Sequence, residues 1–356
     1  MSAFDPDFEH ERLEVVQDPA TGVRAIVAIH STALGPAMGG LRLHSYNSLD
    51  EAISDALRLA EAMTMKNAAA GLDLGGGKAV LIDDGGWADP AQRAERMELV
   101  GRIIDGLGGS YITAEDVGTS PQDMTHIARS TVWVGGRPID RGGRGDPSPF
   151  TARTVFGAIE VAAGTQLHAP DLAGVQVGVQ GVGHVGAALV SLLCESGADV
   201  TITDVDAARA ARVARTNDVT IVEPAGFIYR AFDVLAPCAF GRGITSEDVP
   251  RLRCLVVAGA ANNVLADASV ADELAARGIL YVPDFLANCG GIIHVAGEVR
   301  GFSDAVVNQR ISDCIARTAA TLAAAREQGL TPWRLAVEQA GSRLAMAPRP
   351  SAEVAA

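Results

Sequence analysis

The sequence has few aromatic side chains, few charged side chains and no excess of positive charge. Aromatic residues make up 4% of the 356 residues, charged residues make up 20%, and the formal net charge is −14. Nucleic acids and anionic membranes bind basic patches, so this balance argues against either as a partner. No segment approaches the roughly 20 apolar residues of a membrane span, and no signal-peptide pattern is evident. We therefore expect a cytoplasmic protein.

Cysteine and histidine are too sparse and too scattered to indicate a disulfide framework or a metal centre. The chain has 5 cysteines, an odd number, and no Cys-x-x-Cys pair. Its 7 histidines show no spacing typical of metal ligands. We therefore expect a reduced chain without a metal site.

Aliphatic residues are abundant, and their order along the chain predicts an α/β fold. Hydrophobic residues make up 48% of the chain, mostly Ala, Val, Leu and Ile, and the length favours two domains. Strand and helix segments mix up to about residue 135, and residues 137–149 resemble a linker. A helix from about Thr151 leads into alternating strands and helices, a pattern typical of a parallel, doubly wound sheet. The strands are predicted at 175–179, 200–203, 219–222, 233–236, 255–258 and 279–282.

Two lysines bracket a short segment rich in glycine and alanine. Lys66 ends an amphipathic helix that starts at a predicted Ser48–Glu51 capping box, and it could hold a carboxylate. Lys78 follows three glycines and precedes an apolar run, so we predict it at the start of a buried strand. Desolvation lowers a lysine pKa and permits proton exchange near neutrality. Two solvated lysines flanking a turn are the alternative.

The glycines before Lys78 do not form a triphosphate-binding P-loop. That motif needs a glycine five residues before its Gly-Lys pair and a Ser or Thr after it. Leu72 and Ala79 occupy those positions.

A glycine-rich loop in the second half of the chain predicts a dinucleotide site. Gly181, Gly183 and Gly186 form Gly-x-Gly-x-x-Gly between a predicted strand and a predicted helix. These glycines would allow the turn, the approach of pyrophosphate and the packing of helix on strand. Asp204 ends the next strand, 18 residues after Gly186, and no basic residue immediately follows it. A carboxylate there accepts ribose hydroxyls and repels a 2′-phosphate, which favours NAD over NADP.

Polar residues also follow three other predicted strands. Asp116 and Glu115 come after the strand at 111–113, where Asp116 beside Lys78 would make an acid/base pair, although either carboxylate could instead cap a helix. Asn262, Asn263 and Asn288 follow strands of the second region and could contact a ligand or serve as turn residues.

In these motifs the chain resembles the Glu/Leu/Phe/Val dehydrogenase family of NAD(P)-dependent amino acid dehydrogenases. The matching segments span about residues 20–345, and the lysine segment with Glu115-Asp116 is specific to the family. They are 34–40, 65–78, 113–119, 181–186, 236–239, 258–263 and 288–291.

The resemblance implies an α/β protein of two domains with the active site in the cleft between them. An N-terminal substrate-binding and oligomerisation domain with a mixed sheet would cover residues 1–135, completed by C-terminal helices at about 331–356. A Rossmann NAD-binding domain would cover residues 136–330. The implied reaction is reversible oxidative deamination of an L-amino acid by NAD and water, and the implied assembly is a homo-oligomer.

The resemblance also assigns roles to individual residues. Lys78 would act on the water that attacks the substrate carbon, and Asp116 would exchange the proton of the amino group. The implied substrate-binding residues are Lys66, Gly39, Gly40, Met63, Ala114, Asn262, Asn263, Ile292 and Val295. The implied cofactor-binding residues are Thr151, Gly181, Gly183, His184, Val185, Gly186, Asp204, Ala236, Pro237, Cys238, Ala258, Ala260 and Asn288. No metal-binding residue is implied.

The side-chain pocket implied by the family is uncharged, which argues against glutamate as the substrate. Ala114 and Ile292 resemble the leucine and valine enzymes, whereas residues 293–299 and the chain length are closer to phenylalanine dehydrogenases. We expect an aliphatic substrate, with phenylalanine as the alternative. A non-catalytic sensor of NAD or amino acids is less well supported, because binding alone needs no proton-transfer lysine.

Overall fold

The structure, a computed structural model, describes residues 9–239 and 243–347. Within these ranges the chain folds into two compact units. The first unit comprises the residues up to Asp146, His294–Asp304 and the residues from Ala340 onward, and the second comprises Pro147–Ile293 and Ala305–Gln339. The domain boundaries expected from the sequence stay a prediction, and their segments 1–8 and 348–356 lie outside the described residues.

The first unit is built on a mixed sheet. Its strands are β1 (Arg12–Asp18), β2 (Val23–Ser31), β3 (Ala37–His44), β4 (Gly75–Ile82) and β5 (Tyr111–Glu115). In the described part of the chain these five strands are ordered β1-β2-β4-β3-β5. Strands β1 and β2 run antiparallel to each other, as do β2 and β4, whereas β3 runs parallel to both β4 and β5. Strand β4 therefore lies at the centre, buried along its whole length.

Helices cover both faces of this sheet. They are α1 (Leu49–Ala69), α2 (Pro90–Asp105) and α3 (Pro121–Ile127). On one face, Ala56 and Ala60 of α1 pack with Val80 of β4. On the other face, Met97 of α2 and Met124 of α3 pack with core residues of β3 and β4. Alternation along β4 places Gly76, Lys78 and Val80 on the face that α1 covers.

Helix α1 begins where the sequence predicts, but its capping differs from the prediction. The Ser48 side chain accepts a hydrogen bond from the amide of Glu51, as a capping residue does. The Glu51 carboxylate, however, accepts from the amide of Asn47, at 2.8 Å, one residue further back. Both start-of-helix amides are thus satisfied, although the reciprocal Ser48–Glu51 box is not formed.

The glycine segment before Lys78 is strand and not loop, so the prediction that Lys78 starts the strand is wrong. Strand β4 begins at Gly75, and its glycines are buried. A Cβ atom at Gly75 would lie 1.9 Å from the Ser31 carbonyl oxygen, and one at Gly76 would lie 2.0 Å from the Thr64 amide nitrogen. These glycines permit close approach of the backbone of β2 and α1. Lys78 therefore lies inside a central strand, where burial is deeper than at a strand end.

The second unit is built on a parallel sheet. Its strands are β6 (Gln176–Gln180), β7 (Asp199–Thr203), β8 (Val219–Ile221), β9 (Val234–Pro237), β10 (Val256–Val257) and β11 (Leu280–Tyr281). Among the described residues these six strands are ordered β11-β10-β9-β6-β7-β8. All adjacent pairs are parallel. All six predicted strands are present, with ends shifted by at most one residue, and the prediction of a doubly wound Rossmann sheet is confirmed.

Helices connect these strands and extend beyond them. They are α4 (Ser148–Gln166), α5 (His184–Glu195), α6 (Ala207–Ala214), α7 (Ser269–Ala276), α8 (Asp284–Ala287), α9 (Gly290–Arg300), α10 (Asp304–Gln328) and α11 (Pro332–Ala345). The division between the units falls within α9 and α11. The predicted linker at 137–149 contains a single 3-10 turn, Ile139–Arg141, and α4 starts three residues before the predicted Thr151.

The order of the second sheet locates a ligand-binding edge. The first strand, β6, lies between β7, which follows it in the chain, and β9, which comes later. Connections leave β6 and β9 toward opposite sides, so a crevice opens at their carboxyl ends. The glycine loop follows β6 at this point. None of the helices within 9–239 and 243–347 is long and apolar enough to cross a membrane.

Candidate functional site

Lys78 and Asp116 form a buried ion pair in the first unit. Strand β4 carries Lys78, and Asp116 comes directly after β5, two strands away across β3. The Lys78 ammonium lies 2.5 Å from Oδ2 of Asp116. The side chain of Lys78 is 6% exposed and that of Asp116 is 20% exposed. The acid/base partnership predicted from the sequence is therefore within hydrogen-bonding distance.

Burial and charge shift the pKa values of both partners downward. Burial lowers the pKa of Lys78, and the Asp116 carboxylate opposes only part of that shift. Burial acts to raise the pKa of Asp116, but the charges of Lys78 and Arg42 together outweigh it and hold the pKa below its ordinary value. The amine thus loses its proton more readily than a solvated lysine does, while the carboxylate stays ionised.

Arg42, which the sequence analysis missed, is a third member of this centre. Its Nε lies 3.2 Å from the same Oδ2 of Asp116 that Lys78 contacts. Its Nη1 lies 3.0 Å from Asp55 of α1. Asp55 also accepts hydrogen bonds from Tyr46, at 2.7 Å, and Arg58, at 2.7 Å. The guanidinium is therefore committed to two carboxylates and leaves Asp116 fixed between two cations.

A sequence signal for Arg42 does exist. Side chains alternate along β3, so Arg42 faces the same side of the sheet as Gly40. A Cβ atom at Gly40 would lie 2.7 Å from the Cβ of Asp116. Once Gly40 is assigned to the substrate site, alternation predicts that the side chain at position 42 lies on the same face of the sheet.

Glu115, the neighbour of Asp116, also has a perturbed acidity. Burial, and next the charge of Asp146, raises the pKa of Glu115 to about 7. The two adjacent carboxyl groups therefore differ in protonation near neutral pH, because only Asp116 has cations beside it.

The remaining candidates of the first unit lie on β3, β5, α1 and α9. A Cβ atom at Gly39 would meet the Gly77 carbonyl oxygen at 1.8 Å and Met63 at 3.3 Å. Ala114 pairs with Gly40 across β5 and β3 and is 6% exposed. Lys66 lies half-buried in the last turn of α1. Val295 is buried in α9, where it lies against Gly135.

The glycine loop of the second unit has the geometry predicted for a dinucleotide site. Gly181 has φ +93°, a conformation that favours glycine, and a Cβ atom at Gly186 would lie 2.1 Å from the Gly181 carbonyl oxygen. A Cβ atom at Gly183 would meet nothing within 4 Å, so this backbone faces open space. His184 and Val185 open α5, with the His184 side chain exposed. The amides at the start of α5 suit an anion.

Asp204 lies at the end of β7 beside this loop. Its Oδ2 accepts a hydrogen bond from the Val182 amide at 2.8 Å, and its Oδ1 accepts one from the Asp206 amide at 2.9 Å. Arg209 of α6 also contacts the carboxylate, at 3.2 Å. Burial acts to raise the pKa of Asp204, but these two amides and Arg209 outweigh it, so the pKa is lowered. The carboxylate is ionised and fixed against the glycine loop.

Candidates at the ends of β9 and β10 line the same edge. Pro237 pairs with Gln180 of β6, next to Ala236, and the Cys238 amide donates to the Gln180 carbonyl at 2.7 Å. Burial raises the pKa of Cys238 to about 12, so this thiol is a packing group and not a nucleophile. Ala258 is fully buried after β10, and Ala260 is half-buried.

Asn288 and Asn262 form a contact that the sequence does not reveal. The Asn288 Nδ2 donates to Oδ1 of Asn262 at 2.9 Å and to the Ala260 carbonyl at 3.2 Å. Asn288 is 2% exposed, and its Oδ1 is buried without a hydrogen-bond partner in the structure. Asn263 instead adopts a left-handed conformation, with φ +56°, as a turn residue does. Asn262 is thus the asparagine of the pair that is held in place by a second side chain.

Thr151 and Ile292 lie where α4 meets the start of α9. The Thr151 hydroxyl donates to the Pro147 carbonyl at 3.4 Å, and a Cβ atom at Gly291 would lie 2.6 Å from that hydroxyl. Ile292 is half-buried and lies one turn before Val295 on α9. Within residues 9–239 and 243–347, no three His, Cys, Asp or Glu side chains are grouped so that they could hold a metal ion.

Comparison with known proteins places these residues in a family. The family model "Glu/Leu/Phe/Val dehydrogenase, dimerisation domain" matches residues 10–132. The model "Glutamate/Leucine/Phenylalanine/Valine dehydrogenase" matches residues 202–347. The two matched segments contain both lysines, Asp116, Asp204 and the three asparagines.

Relatives match over nearly the whole chain. Valine dehydrogenase of Streptomyces virginiae is 44% identical over 340 residues, covering 94% of this chain and 94% of that protein. Leucine dehydrogenase of Thermoactinomyces intermedius is 40% identical over 349 residues, covering 97% of this chain and 94% of that protein. The solved L-tryptophan dehydrogenase of Nostoc punctiforme superposes with a TM-score of 0.81 at 34% identity, covering 96% of this chain and 97% of that one. On this similarity in sequence and fold, the chain belongs to the Glu/Leu/Phe/Val dehydrogenase family of amino acid dehydrogenases.

Proposed function

We propose that this protein catalyses the reversible, NAD-dependent oxidative deamination of an aliphatic L-amino acid to its 2-oxo acid, ammonium and NADH. The observation that carries the proposal is the buried Lys78–Asp116 pair, 2.5 Å apart, in a unit whose candidate residues for the substrate side chain are uncharged. A lysine with a lowered pKa beside an ionised carboxylate suits a reaction in which protons leave both water and an amine. Relatives named valine and leucine dehydrogenases support the same reaction.

The residues of the second unit fit an NAD molecule. The open space over Gly183, the left-handed Gly181 and the free start of α5 suit a pyrophosphate, and the ionised Asp204 suits ribose hydroxyls. Bound NAD would accept the hydride that leaves the substrate Cα. Thr151 and the unpartnered Oδ1 of Asn288 are the proposed contacts to its nicotinamide end.

The substrate carboxylate requires positive charge and amide donors. Lys66 supplies a point charge from the end of α1, and Asn262, held by Asn288, supplies an amide. A side chain at Gly39 would collide with the Gly77 carbonyl oxygen, and one at Gly40 would collide with Asp116. We therefore assign to the half-buried backbone of Gly40 the proposed contact with the substrate. The Lys78–Asp116 pair is the proposed contact of the amino group.

Lys78 and Asp116 carry the proton transfers in the proposed reaction. Asp116, ionised, takes a proton from the substrate ammonium and returns it to the nitrogen that leaves. Burial lowers the pKa of Lys78, and its neutral form takes a proton from the water that attacks the iminium carbon. Its ammonium then stabilises the oxygen on which charge develops.

The proposed side-chain pocket favours an apolar substrate. Met63, Ala114, Ile292 and Val295 bring no charge, and Arg42 is bonded to Asp116 and Asp55 and so offers nothing to a second substrate carboxylate. One methylene changes selectivity by only about 1–3 kcal/mol, so we expect activity on several aliphatic amino acids.

A substrate panel tests this proposal. NADH formation is measured at alkaline pH with L-leucine, L-valine, L-isoleucine, L-phenylalanine, L-glutamate and no amino acid. We expect the highest kcat/KM with one of the three branched-chain substrates and none with glutamate. A preference for phenylalanine would retain the reaction and contradict the pocket assignment. NADH binding without turnover on any substrate would instead support a sensor.

Arg42 is proposed as a positioning residue for this chemistry. Its charge lowers the pKa of Lys78, so the variant Arg42→Gln should raise that pKa. Since the neutral amine is the reactive form, the rising limb of the kcat/KM–pH profile should move to higher pH.

The control for this variant is Arg58→Gln. Arg58 also bonds Asp55, at 2.7 Å, but it lies on the exposed side and has no contact with Asp116. Its pH profile should match that of the wild type. Superimposable profiles of Arg42→Gln and wild type would remove Arg42 from the mechanism.

Assembly is proposed as a homo-oligomer, at least a dimer. The segment 10–132 matches a family model described as a dimerisation domain, which supports this proposal. The cytoplasmic location expected from the sequence stays a prediction.

A further inference from the structure

Arg209 lies beside the carboxylate that should read the cofactor ribose. Its Nη1 is 3.2 Å from Oδ1 and 3.4 Å from Oδ2 of Asp204. Its Nη2 lies 3.5 Å from Asp206. The Asp204 side chain is 4% exposed, whereas that of Arg209 is 41% exposed. The guanidinium therefore covers Asp204 and at the same time stays accessible to a ligand.

The place of Arg209 in its helix is unfavourable for stability alone. It is the third residue of α6, after the capping residue Asp206. The first turn of a helix carries a partial positive charge and favours acidic side chains. An ion pair with one partner this exposed contributes little to stability. A positive charge added to a positive helix end instead makes a region suited to an anion.

The chemistry of the two side chains matches two different cofactors. A carboxylate at the end of the second Rossmann strand accepts the ribose 2′-hydroxyl of NAD, whereas acceptance of the 2′-phosphate of NADP requires a nearby arginine. Here one residue of each kind lies at that position, in contact. The planar guanidinium can pair with a phosphate through two parallel hydrogen bonds.

We propose that Arg209 is the 2′-phosphate-binding residue of this cofactor site, so that the protein binds NADP as well as NAD. The inference rests on the proposed dinucleotide site and extends it to a second cofactor. With NAD, Arg209 stays on Asp204 and neutralises it. With NADP, the guanidinium turns from the carboxylate to the phosphate and reduces the repulsion between these two anions.

Val205 adds a second feature that suits the adenosine end of either cofactor. It stands between the two aspartates and is 91% exposed. An apolar side chain so exposed at this point offers a surface on which an adenine ring can pack. The ribose-reading group and an apolar contact for the base are thus adjacent in the chain.

The test measures binding rather than turnover, on the full chain. Dissociation constants for NADH and NADPH are obtained from nicotinamide fluorescence, and those for 5′-AMP and 2′,5′-ADP from calorimetry. We expect wild type to saturate with both NADH and NADPH. Arg209→Ala should raise the dissociation constants of NADPH and 2′,5′-ADP by about tenfold or more. Those of NADH and 5′-AMP should rise by no more than about twofold.

Two further variants make the assignment specific. Asp204→Ala should increase the affinity for NADPH, because Arg209 is released from the carboxylate. It should decrease the affinity for NADH, because the acceptor for the ribose hydroxyls is lost. The double variant Asp204→Ala/Arg209→Ala should lose that gain in NADPH affinity. Arg212→Ala removes the same charge one turn along α6, at an exposed position, and should leave both affinities unchanged.

The outcomes separate this inference from the proposed function. Wild type that binds NADH but does not saturate with NADPH overturns the role of Arg209 and leaves the NAD enzyme intact. The role of Arg209 is also overturned if Arg209→Ala weakens the binding of NADH and NADPH equally. The same holds if Arg212→Ala weakens NADPH binding as much as Arg209→Ala does. Failure to bind either nucleotide would overturn the proposed function and this inference together.

Discussion

Lys78→Ala should lower kcat for deamination by about 10²–10⁴-fold, the range in which a general acid–base group contributes. The ammonium is 2.5 Å from Asp116 and deeply buried, so no solvent molecule can take its place with the same acidity and orientation. The proposed NAD residues belong to the second unit, and the affinity for NADH should therefore stay within about twofold of wild type. Steady-state kinetics and a fluorescence titration measure the two quantities.

Two controls separate chemistry from folding at this position. Lys78→Met keeps most of the side-chain volume in the buried strand, so its stability should resemble that of wild type more closely than that of the alanine variant. It should nonetheless be as inactive. A small primary amine added to Lys78→Ala should restore part of the activity, increasingly at higher pH as the amine becomes neutral. Turnover above about a tenth of wild type in either variant would remove Lys78 from the mechanism.

Gly76→Ala should strongly destabilise the first unit. The new Cβ would lie 2.0 Å from the Thr64 amide nitrogen and 2.2 Å from its hydroxyl oxygen, so α1 must move away from β4. Overpacking against backbone in a core of this kind costs about 3 kcal/mol or more. The thermal midpoint should fall by about 6–12 °C.

The matched control is Gly341→Ala, in the exposed part of α11. A Cβ atom there would meet nothing within 4 Å, and the backbone is helical. Alanine in place of glycine in a helix stabilises by about 0.5–1 kcal/mol, so this midpoint should rise slightly. Differential scanning calorimetry of both variants gives the comparison. An unchanged midpoint for Gly76→Ala would mean that the gap between α1 and β4 is wider than the structure indicates.

The parts of the protein that depend on local sequence were predictable. Gly181 has the positive φ of a tight turn, and Gly186 lies close to the Gly181 carbonyl oxygen, because both roles concern backbone within a few residues. All six strands of the second sheet were predicted, since a buried parallel strand is an uninterrupted apolar run. The start of α1 at Ser48 was predicted for the same reason, from capping chemistry within three residues.

Contacts between segments distant in the sequence were decided only by the tertiary structure. The three glycines before Lys78 led to the prediction that the strand starts at Lys78, but they belong to β4, where α1 and β2 approach them closely, and Lys78 is buried deeper as a result. Arg42 reaches Asp116 across 74 positions of sequence. A sequence motif indicates which residue types a reaction or a ligand requires. Which charges surround them, and so what their pKa values and cofactor preference become, depends on packing between elements that no local pattern describes.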